Sequence, residues 1–339
     1  MYNPYFGFSF SPFENNPDQQ FLFLSEGHQE AIGALFYFVQ EKKSFALVCG
    51  DVGTGKTMIV HHLLSKLPGS IKPILIPYPD VEYIEISRYI ARVLKINPVG
   101  KGVLDLTDEI KTALIVAGLD GKQFVLIIDE AHLLSISSLE YIRLLSNIET
   151  TEKKLLQILL LGQNELSQKL RRSEMRQLRQ RINVNRFLSP MSHSETIGYI
   201  DHRLRVAGSS FGRCFESSCK KMIYKMTGGV PRSINRLCDT ALLVCMIEKG
   251  AKVTMRVLKK AQDALDGHAI PERKESKSGR FFSIKILKPA LAGVGGIVFL
   301  LALGFLVYMG AQRLEPWIYG PHFPEAVNTY VEKPLPRGF

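Results

Sequence analysis

Gly50-Asp51-Val52-Gly53-Thr54-Gly55-Lys56-Thr57 follows the apolar run Phe45 to Cys49 and opens a helix-period segment, Lys56 to Lys66. The octapeptide fits GxxxxGK[ST] at every position, in the strand-turn-helix setting that a phosphate-binding loop requires. The glycines let the loop bend so that backbone N–H groups face an anion, at a helix N-terminus whose dipole already favours negative charge. Lys56 adds the counter-charge and is expected to reach the β- and γ-phosphates of a nucleotide, while Thr57 offers a hydroxyl to Mg2+.

Working outward, a second apolar run, Phe124 to Ile128, ends in Asp129-Glu130. At the end of a neighbouring strand, Asp129 is expected to hold Mg2+ through water and Glu130 to orient and polarise the attacking water. A site that only bound nucleotide would need the first carboxylate and not the second, so hydrolysis is the expected chemistry. His132 completes an Asp-Glu-Ala-His string and reads first as a structural residue. A further run ends Leu160-Leu161-Gly162-Gln163-Asn164, where a strand end should bring a polar side chain beside the phosphates. Gln163 is the candidate γ-phosphate sensor and Asn164 the alternative; Gly-Gln-Asn is also ordinary turn chemistry. Arg171, Arg172, Arg176, Arg179 and Arg181 follow on one helical stretch. Such a run is either a solvated surface or a source of an arginine for a neighbouring subunit's γ-phosphate.

Five strand-like runs, Phe45 to Cys49, Pro73 to Pro77, Phe124 to Ile128, Leu155 to Leu161 and Val184 to Leu188, alternate with helix-period segments. Those segments are Lys56 to Lys66, Tyr83 to Leu94, Leu104 to Ala117, Ser138 to Ile148 and Glu165 to Arg181. This alternation predicts an α/β fold with a parallel sheet covered on both faces. From Ser192 the strand signal stops, and Ser192 to Val206, Glu216 to Met226, Pro231 to Glu248 and Thr254 to Leu265 predict a small helical domain.

With the phosphate loop, Asp129-Glu130, Gln163, Arg179-Gln180-Arg181 and Thr227-Gly228-Gly229-Val230-Pro231-Arg232 in chain order, the sequence resembles the AAA+ ATPases. More narrowly, it resembles the ExeA-type (general secretion pathway protein A) ATPases. Tyr5-Phe6-Gly7-Phe8, Ser11-Pro12-Phe13, Pro17-Asp18, Phe21 to Ser25, His28 and Glu30-Ala31 resemble that family's opening, and Leu178 to Ile182 a later stretch. The resemblance spans about residues 1 to 267 and implies a three-layer αβα P-loop NTPase with a C-terminal helical lid, ATP and Mg2+ as ligands, and assembly as a homo-oligomer. It also implies that Arg232 reads the γ-phosphate from the lid and that the opening aromatic segment borders the adenine. Members of the secretion type usually carry a periplasmic peptidoglycan-binding domain after a membrane span, and none is expected here.

Composition agrees with a folded protein: 339 residues, 46% hydrophobic and 22% charged, which excludes a disordered, collagen-like or disulfide-scaffold chain. Cys49, Cys214, Cys219, Cys238 and Cys245 show no metal spacing and are expected as reduced, buried thiols. The first residues lack a signal peptide's basic start and apolar core. Pro289 to Ala311 carries no charge and is long enough, at about 1.5 Å per residue, to cross a bilayer as a single transmembrane helix. Arg273, Lys274, Lys277, Arg280, Lys285 and Lys288 precede it and only Arg313 follows closely, so the residues before it should be cytoplasmic.

The expected organisation is therefore 1–190 nucleotide-binding domain, 191–267 lid, 268–288 basic linker, 289–311 transmembrane helix of the bacterial inner membrane, and 312–339 a short Pro-rich periplasmic tail. The net charge of +11 falls partly beside that helix, where anionic lipid is the simpler partner. A membrane-anchored ATPase serving an envelope secretion, pilus or polysaccharide-export machine is the first reading. A nucleic-acid-associated regulator of the transposition or origin-recognition type is the alternative, although the charge placement argues against nucleic acid as a partner.

Overall fold

The computed structural model describes residues 2–14, 19–79, 81–149 and 154–267. The expected linker, membrane helix and tail at 268–339 lie outside the described residues. Among the described residues no helix is long and apolar enough to cross a membrane.

The chain begins with α1 (Asn3–Phe6), α2 (Glu26–Gln40), β1 (Phe45–Gly50), α3 (Lys56–Lys66), β2 (Ile71–Ile76), α4 (Tyr83–Val93), α5 (Val103–Leu119) and β3 (Gln123–Ile128). It continues through α6 (Ile136–Leu145), β4 (Leu156–Gly162), α7 (Asn164–Leu170), α8 (Arg176–Arg181) and β5 (Ile182–Leu188). The expected lid region, hereafter the lid, holds α9 (His193–Val206), α10 (Phe211–Cys214), α11 (Cys219–Thr227), α12 (Pro231–Ile247) and α13 (Met255–Leu265).

All five predicted strands are present, and all pair in parallel in the order β2-β3-β4-β1-β5. The carboxylate strand β3 is therefore not the neighbour of β1, as the sequence suggested; β4 lies between them. Alternation of strand and helix fixes parallelism but leaves this order open. The inner strands are buried on both faces, which explains their unbroken apolar runs. On one face Leu47, Leu126, Ile128, Ile158 and Leu160 pack with α4 to α8; on the other Val48, Val125, Ile127, Leu159 and Leu161 pack with α2 and α3.

Two elements depart from expectation. Helix α2, which is not among those the alternation predicts, buries Ala31, Ile32, Leu35, Phe38 and Val39 at helical spacing and starts on a Ser25 cap. The predicted helix Glu165 to Arg181 is broken into α7, a 3-10 turn at Ser173–Met175, and α8, with Arg172 extended between them. Leu166 and Leu170 share a helical face, but Met175 comes five residues later; the break is what turns it into the same core.

The domain boundary also moves. Tyr2, Phe8, Phe13 and Phe21 pack with α9, α11, α12 and α13 in a separate core, so the opening segment belongs to the lid and not to the sheet domain. Arg203 on α9 holds it there, donating from Nη2 to the Glu14 carbonyl at 2.8 Å and from Nε to that of Pro12, with its guanidinium over the Phe21 ring. The five cysteines are free and buried, and burial pushes their thiols up from the ordinary range.

Candidate nucleotide site

The loop after β1 has the conformation its glycines permit. Gly53 and Gly55 have φ of +81° and +97°, the left-handed region. A Cβ on Gly53 would lie 2.5 Å from the Cβ of Arg232, and one on Gly55 would lie 2.8 Å from Nε2 of His28. The loop is thus pressed between the N-terminus of α12 and α2. Lys56 is 6% exposed, and its ammonium donates to the carbonyls of Gly50 and Asp51 at 2.8 and 3.0 Å. Thr54 closes the turn with a 2.8 Å bond to the Asp51 carbonyl.

Asp129 reaches this loop although its strand is two positions away. The Thr57 hydroxyl donates to Asp129 Oδ2 at 2.7 Å, while Oδ1 accepts from the Glu130 N–H at 2.9 Å. Glu130 itself has φ +50° and ψ +35°, a conformation that costs a non-glycine residue energy and is found where surrounding structure enforces it. Gln163, at the end of the intervening strand β4, lies 3.2 Å through Nε2 from His132 Nε2. His132 Nδ1 is in turn 3.2 Å from Glu130 Oε2. Asn164 is exposed as the first residue of α7.

The candidates are not all brought together. Arg232 joins the site: its N–H donates to the Gly53 carbonyl at 3.3 Å and its side chain is exposed. Arg179 and Arg181 do not hydrogen-bond to the loop, Asp129 or Glu130. Arg179 donates to the carbonyls of Leu170 and Arg171 at the end of α7, and Arg181 to the Ser146 hydroxyl at 2.8 Å beyond α6. Both guanidiniums thus complement helix C-termini of their own chain.

Two further residues shape the site without announcing themselves in a motif. His28, 3% exposed, bonds the Thr54 carbonyl through Nε2 at 2.8 Å and the Ser25 hydroxyl through Nδ1 at 2.6 Å. Burial lowers its pKa, against the opposing pull of the Thr54 carbonyl and the Glu195 charge. The signal was Ser25 three residues ahead, the spacing of a capping box in which the imidazole replaces a carboxylate. Lys169 clamps the turn after Glu130, donating to the carbonyls of His132 and Leu134, each at 2.6 Å. Desolvation, then the nearby Arg172, lowers its pKa.

These residues fit a Mg2+ nucleotide. The glycine cradle has no room for side chains, the buried ammonium holds only carbonyls of the loop it belongs to, and Thr57 and Asp129 are already paired. One hydroxyl, with one carboxylate acting through water, would suffice for Mg2+, whose other ligands would come from phosphates and water.

Residues 39–170 match the AAA domain family. The chain is 38% identical over 255 residues to general secretion pathway protein A of Aeromonas hydrophila, an alignment covering 75% of this chain and 46% of that protein. The chain thus spans about half the length of the curated relative. Among solved structures, Cdc6p from Pyrobaculum aerophilum has a TM-score of 0.58 at 16% identity, covering 74% of this chain and 69% of that one. The Aeropyrum pernix ORC2 protein has 0.57 at 15%, covering 75% and 70%. At such identity these two show the fold alone. The resemblance carried by the motifs is borne out: the chain has an AAA+ P-loop fold and is a relative of the ExeA-type ATPases.

Proposed function

We propose that the protein is a membrane-anchored ATPase whose nucleotide cycle assists assembly or regulation of an envelope machine. The observation that supports hydrolysis most is Glu130, held in a strained conformation directly after Asp129, which the Thr57 hydroxyl grips at 2.7 Å.

Bound MgATP supplies the electrophilic phosphorus, the leaving group and the metal charge that lowers the barrier to phosphoryl transfer to water. The chain's own groups do the rest. The N–H groups of Asp51 to Thr57 cradle the phosphates, and Lys56 exchanges the carbonyls of Gly50 and Asp51 for phosphate oxygens. Thr57 would hold Mg2+ through its hydroxyl and Asp129 through water. Glu130 orients the attacking water and draws on its proton through the side-chain carboxylate. Gln163 and Arg232 read the γ-phosphate from strand end and lid, and the backbone contact between Arg232 and Gly53 links that reading to the lid.

Assembly as a homo-oligomer, anchoring through 289–311 in the bacterial inner membrane with the ATPase part cytoplasmic, and service to a secretion, pilus or polysaccharide-export machine complete the proposal. The relative's name supports the secretion setting, and the uncharged run with its basic approach supports the anchor and a contact with anionic lipid.

The test is Mg2+-dependent ATP turnover by the full chain in lipid, with Glu130→Gln expected to bind ATP normally while kcat falls about 10²- to 10⁴-fold. Affinity capture of that variant from native membranes with ATP, against Lys56→Ala, should recover envelope components. Recovery of chromosomal or transposition proteins with salt-sensitive DNA binding would instead favour the nucleic-acid reading.

A further inference from the structure

We infer that His132 is a positioning residue that couples the phosphate-reading side chain Gln163 to the water-orienting Glu130, an inference that rests on the hydrolytic reading above. The imidazole stands between the two, with Nε2 3.2 Å from Gln163 Nε2 and Nδ1 3.2 Å from Glu130 Oε2. Its side chain is 14% exposed. The link crosses from the end of β3 to the end of β4, the strand placed between the carboxylates and the phosphate loop.

The partners dictate the tautomer. A carboxylate only accepts, so the Nδ1 that faces Glu130 carries a proton, and Nε2 is the acceptor for the Gln163 amide turned nitrogen-first to the ring. That second contact is unfinished. Glu130 Oε2 and His132 Nδ1 are both buried, neither has another hydrogen-bond partner among the described residues, and the pair falls outside hydrogen-bond geometry despite its separation. A buried donor and acceptor left in that state cost energy that a small tilt of the ring would recover. The backbone cannot supply the tilt, because Lys169 pins the carbonyls of His132 and Leu134 and the His132 N–H lies against Gly162.

Release of Nε2 supplies it. When Gln163 turns its amide from the ring towards a phosphate oxygen, the imidazole is free to bring Nδ1–H onto Oε2 and fix the carboxylate that orients water. The γ-phosphate is thereby reported to Glu130 through one histidine side chain.

The experiment uses the full chain labelled with 15N-histidine, together with His132→Phe, His132→Asn, Gln163→Ala and the His132→Phe/Gln163→Ala pair. Without nucleotide, the His132 resonances, identified by their loss in His132→Asn, should be those of an Nδ1–H tautomer; an Nε2–H tautomer overturns the inference and needs no folded variant to do so. His132→Phe should lower kcat about 10- to 100-fold, as misplacement of a reacting group does, with KM for ATP within about twofold. His132→Asn, whose side-chain nitrogen stands in for Nδ1–H, should recover part of the loss. The double variant should be no slower than the slower single, because both break one link. Unchanged kcat in His132→Phe, or losses that multiply in the double variant, overturn the coupling and leave the ATPase reading standing. A wild-type chain that binds MgATP without turnover overturns both.

Discussion

Lys56 and Arg203 are buried to the same extent, 6% exposed each, yet they are built for opposite ends. Lys56 sits on a loop of eight consecutive residues and spends its ammonium on two carbonyls of that same loop, at 2.8 and 3.0 Å. Arg203 is engaged through all three of its nitrogens: its guanidinium serves the Pro12 and Glu14 carbonyls and the Tyr199 hydroxyl, and lies over the rings of Phe21 and Tyr199. A buried cation whose partners belong to its own loop and can be exchanged is poised for an anion, whereas one whose nitrogens each hold a partner on another segment or its own helix joins segments. The first makes a binding site, and the second makes the opening segment part of the lid.

The strongest way to break this contrast is to remove each charge. Lys56→Ala should weaken ATP binding by about 100-fold or more, the loss of charge-assisted bonds in a desolvated site, measured by titration with a fluorescent ATP analogue. Its melting temperature without nucleotide should stay level or rise, because an incompletely paired buried ammonium is a burden to the fold. A marked drop in melting temperature would make Lys56 a structural residue like Arg203.

Arg203→Leu should do the reverse, lowering stability by about 2–3 kcal/mol as a buried carbonyl, a half-buried carbonyl and a hydroxyl lose their donor, read as a shifted urea midpoint. Affinity for the ATP analogue should fall no more than about threefold at temperatures where the protein remains folded, since its partners all lie in the lid and the opening segment. Arg203→Lys should recover little, because an ammonium cannot reproduce the planar fork and ring stacking. A large loss of affinity with stability unchanged would instead place Arg203 in the nucleotide site.

Gly53→Ala probes where the two regions meet. The left-handed backbone alone costs a side chain about 1–2 kcal/mol, and the added Cβ would collide with Arg232. ATP affinity should fall about tenfold, with the lid more open to proteolysis between α11 and α12. Gly229, whose added Cβ would lie 2.0 Å from the Met191 carbonyl, provides a comparison in which the clash is within the lid connection and affinity should change less.

The same contrast explains what the sequence revealed. The phosphate loop, the carboxylate pair and the five strands are local patterns: consecutive residues or period-two runs that state their own conformation. The Arg203 contact with Pro12 joins positions 191 residues apart, and no local pattern records it; the opening aromatics therefore read as part of the sheet domain when they belong to the lid core. Gln163 and Glu130 were legible as strand-end groups, but the His132 link depends on β4 lying beside β3, a matter of strand order. Arg179 and Arg181 stood out as a basic run, whereas their partners, carbonyls at the end of α7 for Arg179 and the Ser146 and Asn147 side chains after α6 for Arg181, are groups that sequence does not advertise.

The smallest expected effect concerns His28, the base that joins the two regions. Its Nε2 holds the Thr54 carbonyl of the phosphate loop, and it lies three residues after the Phe21 to Ser25 stretch that leaves the Arg203 cage. Because a carbonyl only accepts, Nε2 carries the proton and Nδ1 accepts from Ser25, so the folded protein wants this imidazole neutral. Burial is the main cause of its lowered pKa; the Thr54 bond and the Glu195 charge act against it. The unfolded chain, near the ordinary value of 6.5, binds the proton more readily than the folded one. Stability is therefore full above that value and declines as pH falls below it. His202 contributes in the same direction, lowered first by desolvation and then by Arg205 and Arg203. Urea midpoints taken between pH 7.5 and about pH 5.5 should thus fall in the wild type and fall less in His28→Asn, the remainder belonging to His202. An unchanged slope in His28→Asn would show that the tie between the lid segment and the phosphate loop survives protonation, and that other contacts, among them the Glu26 N–H on the Glu195 carboxylate, carry the join.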